Sequence, residues 1–149
     1  MIRVEKILTV PQEHSVCLSL PIDQRVKSRL KVTLDDGREA GLFLPRGQIL
    51  RGGDLLQSTD GLVIRVAAAS ETVSTVHSDS PHSLARICYH LGNRHVPLQI
   101  SGTWVRYQHD HVLDSMVAGL GLSVKVEQAP FEPEAGAYQR TAHNDHHHH

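Results

Sequence analysis

The chain has 149 residues, enough for one domain or two small ones, and 40% of them are hydrophobic, enough to fill a core. A formal net charge of -1 gives no general pull toward nucleic acid or an anionic membrane, and 4% aromatics speaks against a base-stacking surface. The two cysteines, Cys17 and Cys88, are far apart, which excludes a disulfide framework and a CxxC zinc knuckle.

Met1 to Val10 carries Arg3, Glu5 and Lys6 and lacks the unbroken apolar stretch of a signal peptide. No run is long enough to span a bilayer. A cytoplasmic protein is the expectation.

Residues 1–69 read as β. Val16, Leu18 and Leu20 alternate with Ser15, Cys17 and Ser19 until Pro21 closes the run. Arg25 to Val32 alternates again, with Arg25, Lys27, Arg29 and Lys31 on one side, a stripe that suits a solvated strand face or an acidic partner. Asp35-Asp36-Gly37 is a hairpin turn signal. Ala40 to Leu44 predicts another strand, ended by Pro45-Arg46-Gly47, and Leu62 to Val66 a short one after Asp60-Gly61. Short strands between turns suggest a small β sandwich or barrel.

The pattern changes from about Glu71, which opens a β-branched strand to His77. Ser80-Pro81 predicts a helix start, with Ser as cap and Pro at the first helical position. Leu84, Ile87, Cys88 and Leu91 follow helical spacing, and Gly92 is read as the stop. Val96–Ile100 and Thr103–Tyr107 predict a strand pair around Ser101-Gly102. A second helix is expected from about His109 to Leu120, stopped by Gly121, and a last strand from Leu122 to Val126. Beyond residue 126 periodicity is lost.

The expected fold class is therefore α+β. A small all-β domain over 1–69 precedes a ferredoxin-like βαββαβ domain over 70–134 and a disordered, His-rich tail over 135–149.

The chemistry lies in the 12 histidines. Imidazole suits zinc, copper and nickel. The chain ends His143-Asn144-Asp145-His146-His147-His148-His149, a segment able to wrap a metal loosely with little selectivity. An affinity tag is the competing origin; the run has only four consecutive histidines, with His143 and Asp145 just upstream. His109-Asp110-His111 is a second candidate. Its rings share a side if the segment is extended, but diverge by roughly 200° if it is helical. A shared site thus requires the segment to precede or open the helix; otherwise these are exposed polar residues. His95, in the loop Gly92-Asn93-Arg94-His95, is a third. A single imidazole holds a cation poorly unless a two-fold axis supplies its mate. His77, His82 and His90 read as surface or supporting residues, and Cys88 as core.

The sequence contains no GxxxxGK[ST] phosphate cradle, no HExxH and no GxSxG. No nucleophile-base arrangement is compelling, so an enzyme is not expected.

LPIDQRVKSRLKVTLDDGREAGLFLPRG, LRGGD, CYHLGNRHVPLQI, HDHVLD, PFEPEAGAY and the His-rich end together resemble the UreE family of urease accessory proteins, across the whole chain. The resemblance implies an N-terminal β domain that binds peptide-like partners, a ferredoxin-like metal-binding domain and a homodimer. It implies that His95 is an interfacial metal ligand and that His109 and His111 bind metal elsewhere on the domain. His143, His146, His147, His148 and His149 then match the family's variable tail.

The expected function is a nickel metallochaperone that carries Ni2+, with Zn2+ or Cu2+ as further cations, to the urease apoprotein complex. It would work with the accessory GTPase UreG, which fits the missing phosphate cradle. A metal store or interaction adaptor, and a His-ligated metalloenzyme, are the alternatives.

Overall fold

A computed structural model describes residues 1–136. The chain divides into two compact units, Met1–Ala69 and a second from Ser70 onward.

The first unit contains strands β1 (Ile2–Leu8), β2 (Val16–Leu20), β3 (Arg29–Thr33), β4 (Glu39–Phe43), β5 (Leu55–Ser58) and β6 (Val63–Ala68), with a short helix α1 (Ile22–Arg25) after β2. They form one six-stranded mixed sheet in the order β2-β6-β5-β1-β4-β3. β1 with β4 and β2 with β6 run parallel; the other pairs are antiparallel. Val16, Leu18 and Leu20 are buried against Val4, Leu42 and Ile64, as the alternation of β2 requires. Asp35 ties the two edges of the sheet together: its N–H donates to Cys17 O at 2.9 Å, and its carboxylate accepts from Ser19 N and Oγ at 3.2 and 2.9 Å. The sheet is thereby rolled toward a barrel rather than split into a sandwich.

The structure corrects the Arg25–Val32 strand. Residues 22–25 are helical, and the strand begins only at Arg29. Arg25 does not belong to an exposed stripe: it is 0% exposed, and its Nε and Nη1 donate to the carbonyls of Leu20 and Leu50, each at 3.0 Å. A buried guanidinium is tolerable because its donors are engaged. The exposed basic residues are Lys27, Arg29 and Lys31.

The second unit runs β7 (Ser70–His77), α2 (Pro81–Asn93), β8 (Gln99–Ile100), β9 (Trp104–Gln108), α3 (His111–Gly119) and β10 (Lys125–Pro130). Its sheet has the order β10-β7-β9-β8, with every pair antiparallel, which is the ferredoxin-like βαββαβ arrangement. Leu84, Ile87 and Leu91 of α2 and Leu113 and Val117 of α3 pack with Val76, Val105 and Tyr107 of the sheet. Ser80 caps α2 as expected, accepting from Ser83 N at 3.2 Å, with Pro81 in the first turn.

Several boundaries differ from the expectation, among them the start of α3, at His111 rather than His109. Val96, Pro97 and Leu98 stay outside β8, where Pro has no N–H for a ladder. The last strand starts at Lys125 because Leu122 and Val124 pack onto the core instead. Gly92 lies within α2, and the turn beyond the helix is made by His95. Among the described residues, no helix is long and apolar enough to cross a membrane.

Candidate metal site

The site is built where β9 meets α3. β9 pairs with β7 so that Tyr107 lies opposite Ser74. The ladder continues one step further, with His109 N donating to Thr72 O at 3.2 Å. Tyr107 and His109 are two residues apart in extended chain, so both turn toward the same face as Ser74. The chain then enters α3. Asp110 is its cap, extended at φ -156 and ψ 123, and Oδ1 accepts from Val112 N and Leu113 N at 2.8 and 3.1 Å. An Asp at this position satisfies orphan donors and complements the helix dipole.

This cap settles the geometry of the HDH segment. His109 precedes the helix and His111 opens it, and their rings meet edge to face with centroids 4.8 Å apart. The segment meets the condition for two histidines to share one surface. His111 is exposed and His109 half-buried.

Asp114, in the first turn of α3, closes a network beneath His109. His109 Nδ1 lies 3.1 Å from Asp114 Oδ2 and 3.2 Å from Ser74 Oγ. Tyr107 donates its hydroxyl to Asp114 Oδ1 at 2.6 Å. Burial first, then the adjacent carboxylate, pushes the Tyr107 phenol well above its ordinary pKa. Tyr107 is 0% exposed and therefore stays a neutral donor. The sequence reading missed Asp114, Tyr107 and Ser74. Asp114, one turn into the helix after HDH, was the available signal.

His95 is elsewhere on this unit, directly after α2 and exposed to solvent. Its φ is +58, the sole positive value outside glycine among the described residues. Its N–H reaches back to Gly92 O at 3.0 Å. α3 ends in the same kind of turn, but there the left-handed residue is Gly121, with φ +90. Glycine takes this conformation without a Cβ penalty, so α2 carries an imidazole where the backbone favours glycine. Left-handed strain of this kind clusters at functional positions.

The remaining candidates divide simply. His77 and His82 are exposed, and His90 stacks edge to face on Tyr89 at 5.2 Å. Cys88 packs at the helical core, and burial pushes its thiol pKa up, which disfavours a thiolate ligand. His143, His146, His147, His148 and His149 lie outside the described residues. Among the described residues, no group of three or more His, Cys, Asp or Glu could hold a metal ion. His109 and His111 are thus a pair of nitrogen donors, suited to a borderline cation but in need of further ligands.

Comparison with known proteins covers both units. Residues 3–69 match the family model described as UreE urease accessory protein, N-terminal domain, and residues 71–149 match the corresponding C-terminal domain. The chain is 66% identical over 128 residues to the urease accessory protein UreE of Pseudomonas putida (strain W619), covering 85% of this chain and 80% of that one. It is 61% identical over 147 residues to the protein of the same name from Tolumonas auensis, covering 95% and 78%. For that from Aliivibrio fischeri (strain MJ11) the identity is 58% over 139 residues, covering 91% and 84%. With both family domains matched in order and relatives this similar over most of their length, the chain belongs to the UreE urease accessory protein family.

Proposed function

We propose that the protein is a cytoplasmic metallochaperone that carries Ni2+ and hands it to the urease apoprotein during assembly of the urease active site. The observation that carries this reading is the His109–His111 pair: two imidazoles in contact at the surface, one anchored through Nδ1 on a carboxylate. Metal-bound histidines are commonly held in this way, with the second ring nitrogen left to the ion. Imidazole donors select nickel, zinc and copper over calcium and magnesium. The relatives' shared name supports urease as the recipient.

His95 is proposed as the ligand on which delivery depends. In a homodimer with its two-fold axis at this loop, His95 and its symmetry mate would hold one ion between two chains. Such a site leaves coordination positions open, and an ion passes to a new ligand set by exchange at those positions. His109 and His111, with His143 and His146 to His149 of the tail, would add capacity. Residues 1–69 are the proposed partner-binding domain and 70–134 the metal-binding and dimerisation domain. The urease apoprotein complex and the accessory GTPase UreG are the partners. On this reading the protein moves an ion and catalyses no reaction.

Calorimetric titration of the full chain with Ni2+, Zn2+ and Cu2+, followed by mixing the nickel-loaded protein with urease apoprotein and UreG, tests the proposal. Tight nickel binding and a gain of urease activity are expected. Tight binding without activation would make the protein a store or adaptor, and absence of binding would refute the carrier role.

A further inference from the structure

We propose that Asp114 is a positioning residue that locks His109 into its Nδ1–H tautomer, and so makes Nε2 the nitrogen offered to metal. This rests on the reading of His109 as a metal donor.

The donor and acceptor inventory of the network carries the argument. A carboxylate only accepts hydrogen bonds, a hydroxyl has one proton to give, and a neutral imidazole has one N–H and one lone pair. Asp114 Oδ1 takes the Tyr107 proton at 2.6 Å. Ser74 Oγ, 3.2 Å from His109 Nδ1, can either accept from the ring or donate to it. Asp114 Oδ2, 3.1 Å from the same nitrogen, can only accept. A lone pair on Nδ1 would face the lone pairs of the carboxylate, so Nδ1 carries the hydrogen. The lone pair of the neutral ring is then on Nε2.

The order of the chain makes this arrangement stiff. Tyr107 is fully buried and paired with Ser74 across the ladder, which fixes the phenol that orients the carboxylate. Asp114 sits on the first turn of a helix whose start is pinned by Asp110, and Asp114 N donates to Asp110 O at 2.9 Å. A histidine in water prefers the opposite tautomer, with hydrogen on Nε2, and would have to give it up before binding through that nitrogen. Removing partners of this kind typically costs about 10–100-fold in metal affinity.

Asp114→Asn provides the test. The amide keeps the size of the carboxylate, and its oxygen can still accept from Tyr107. Its NH2 then faces His109 Nδ1 and demands a lone pair there, which reverses the tautomer, as the same exchange does in a Ser-His-Asp triad. The tautomer is read on the metal-free full-length protein from the two-bond 15N–1H correlations of the His109 ring, at a pH where the ring is neutral. Zn2+, as a diamagnetic probe, is then titrated into both proteins and followed at the same ring, with the unchanged tail present in each. We expect Nδ1–H in the wild type, Nε2–H in the variant and at least a 10-fold weaker Zn2+ response at His109. An Nε2–H ring in the wild type would overturn the proposal without any variant, so a poorly folded Asp114→Asn protein cannot protect it. A reversed tautomer with unchanged Zn2+ affinity would overturn it too, while His109 remained a ligand. A wild-type ring that never responds to Zn2+ would instead remove His109 from the metal site, and the positioning role with it.

Discussion

His95→Gly should stabilise the second unit while removing a proposed metal ligand. The backbone at His95 is left-handed, with φ +58, at the turn where α2 ends. An L-residue with a Cβ pays roughly 1–2 kcal/mol for this conformation, and His, being commoner there than most residues, belongs at the low end. Glycine pays no such penalty but gives up about 0.5–1 kcal/mol through its freer unfolded chain. The balance is a gain of up to roughly 0.5 kcal/mol, which for a unit of this size raises Tm by at most about 2–4 °C. His95→Ala keeps the Cβ and should bring no such gain. The single tryptophan, Trp104, lies in β9, so fluorescence-detected thermal unfolding in a chelator reports on this unit alone. The measurement needs equal protein concentrations, because the proposed dimerisation would shift Tm by mass action. Both variants should lose the tightest nickel site and urease activation. If Gly melts no higher than Ala, the strain argument fails; if either variant still binds nickel tightly and activates urease, His95 is not the central ligand.

Three further outcomes are expected. Removing residues 143–149 should lower the number of nickel ions bound per proposed dimer and leave folding and association intact; equal stoichiometry by calorimetry would count against the tail as a metal carrier. Replacing His109 and His111 with Ala in that shortened chain should remove capacity but spare the highest-affinity site, and loss of the tightest site would show that the primary ligand lies in HDH. The raised Tyr107 pKa favours the folded state below the unfolded phenol pKa of about 10. That stability is lost as pH rises above it, because the unfolded chain ionises first. Denaturant midpoints between about pH 9 and 11 should therefore fall more steeply for the wild type than for Tyr107→Phe, and parallel curves would contradict the burial argument.

Local patterns in the chain were sufficient for much of the architecture. The alternation of Val16, Leu18 and Leu20 fixed a strand, and Ser80-Pro81 fixed a helix start, because side-chain spacing and capping act within a few residues. Local signals misled where the chain departs from regular geometry. In β1 a register shift between Val4 and Lys6 breaks the alternation that would have singled it out. At Arg25 the polar side chain is buried because distant carbonyls, Leu20 O and Leu50 O, accept its protons, and no spacing rule contains Leu50.

The same division holds at the candidate site. The sequence by itself determined that imidazoles concentrate in HDH, in GNRH and at the end of the chain, and that the first of these could share a surface only if it opened a helix. Tertiary structure decided that Asp110 caps α3 and leaves His109 outside the helix. It also decided that the pairing of β7 with β9 brings Ser74 and Tyr107, with Asp114, beneath the His109 ring. The reason is physical: strand pairing brings together residues far apart in the chain, and the Ser74–His109 contact that results spans 35 positions and leaves no periodic trace. The residues that aim an imidazole are therefore recognisable only after the sheet has formed.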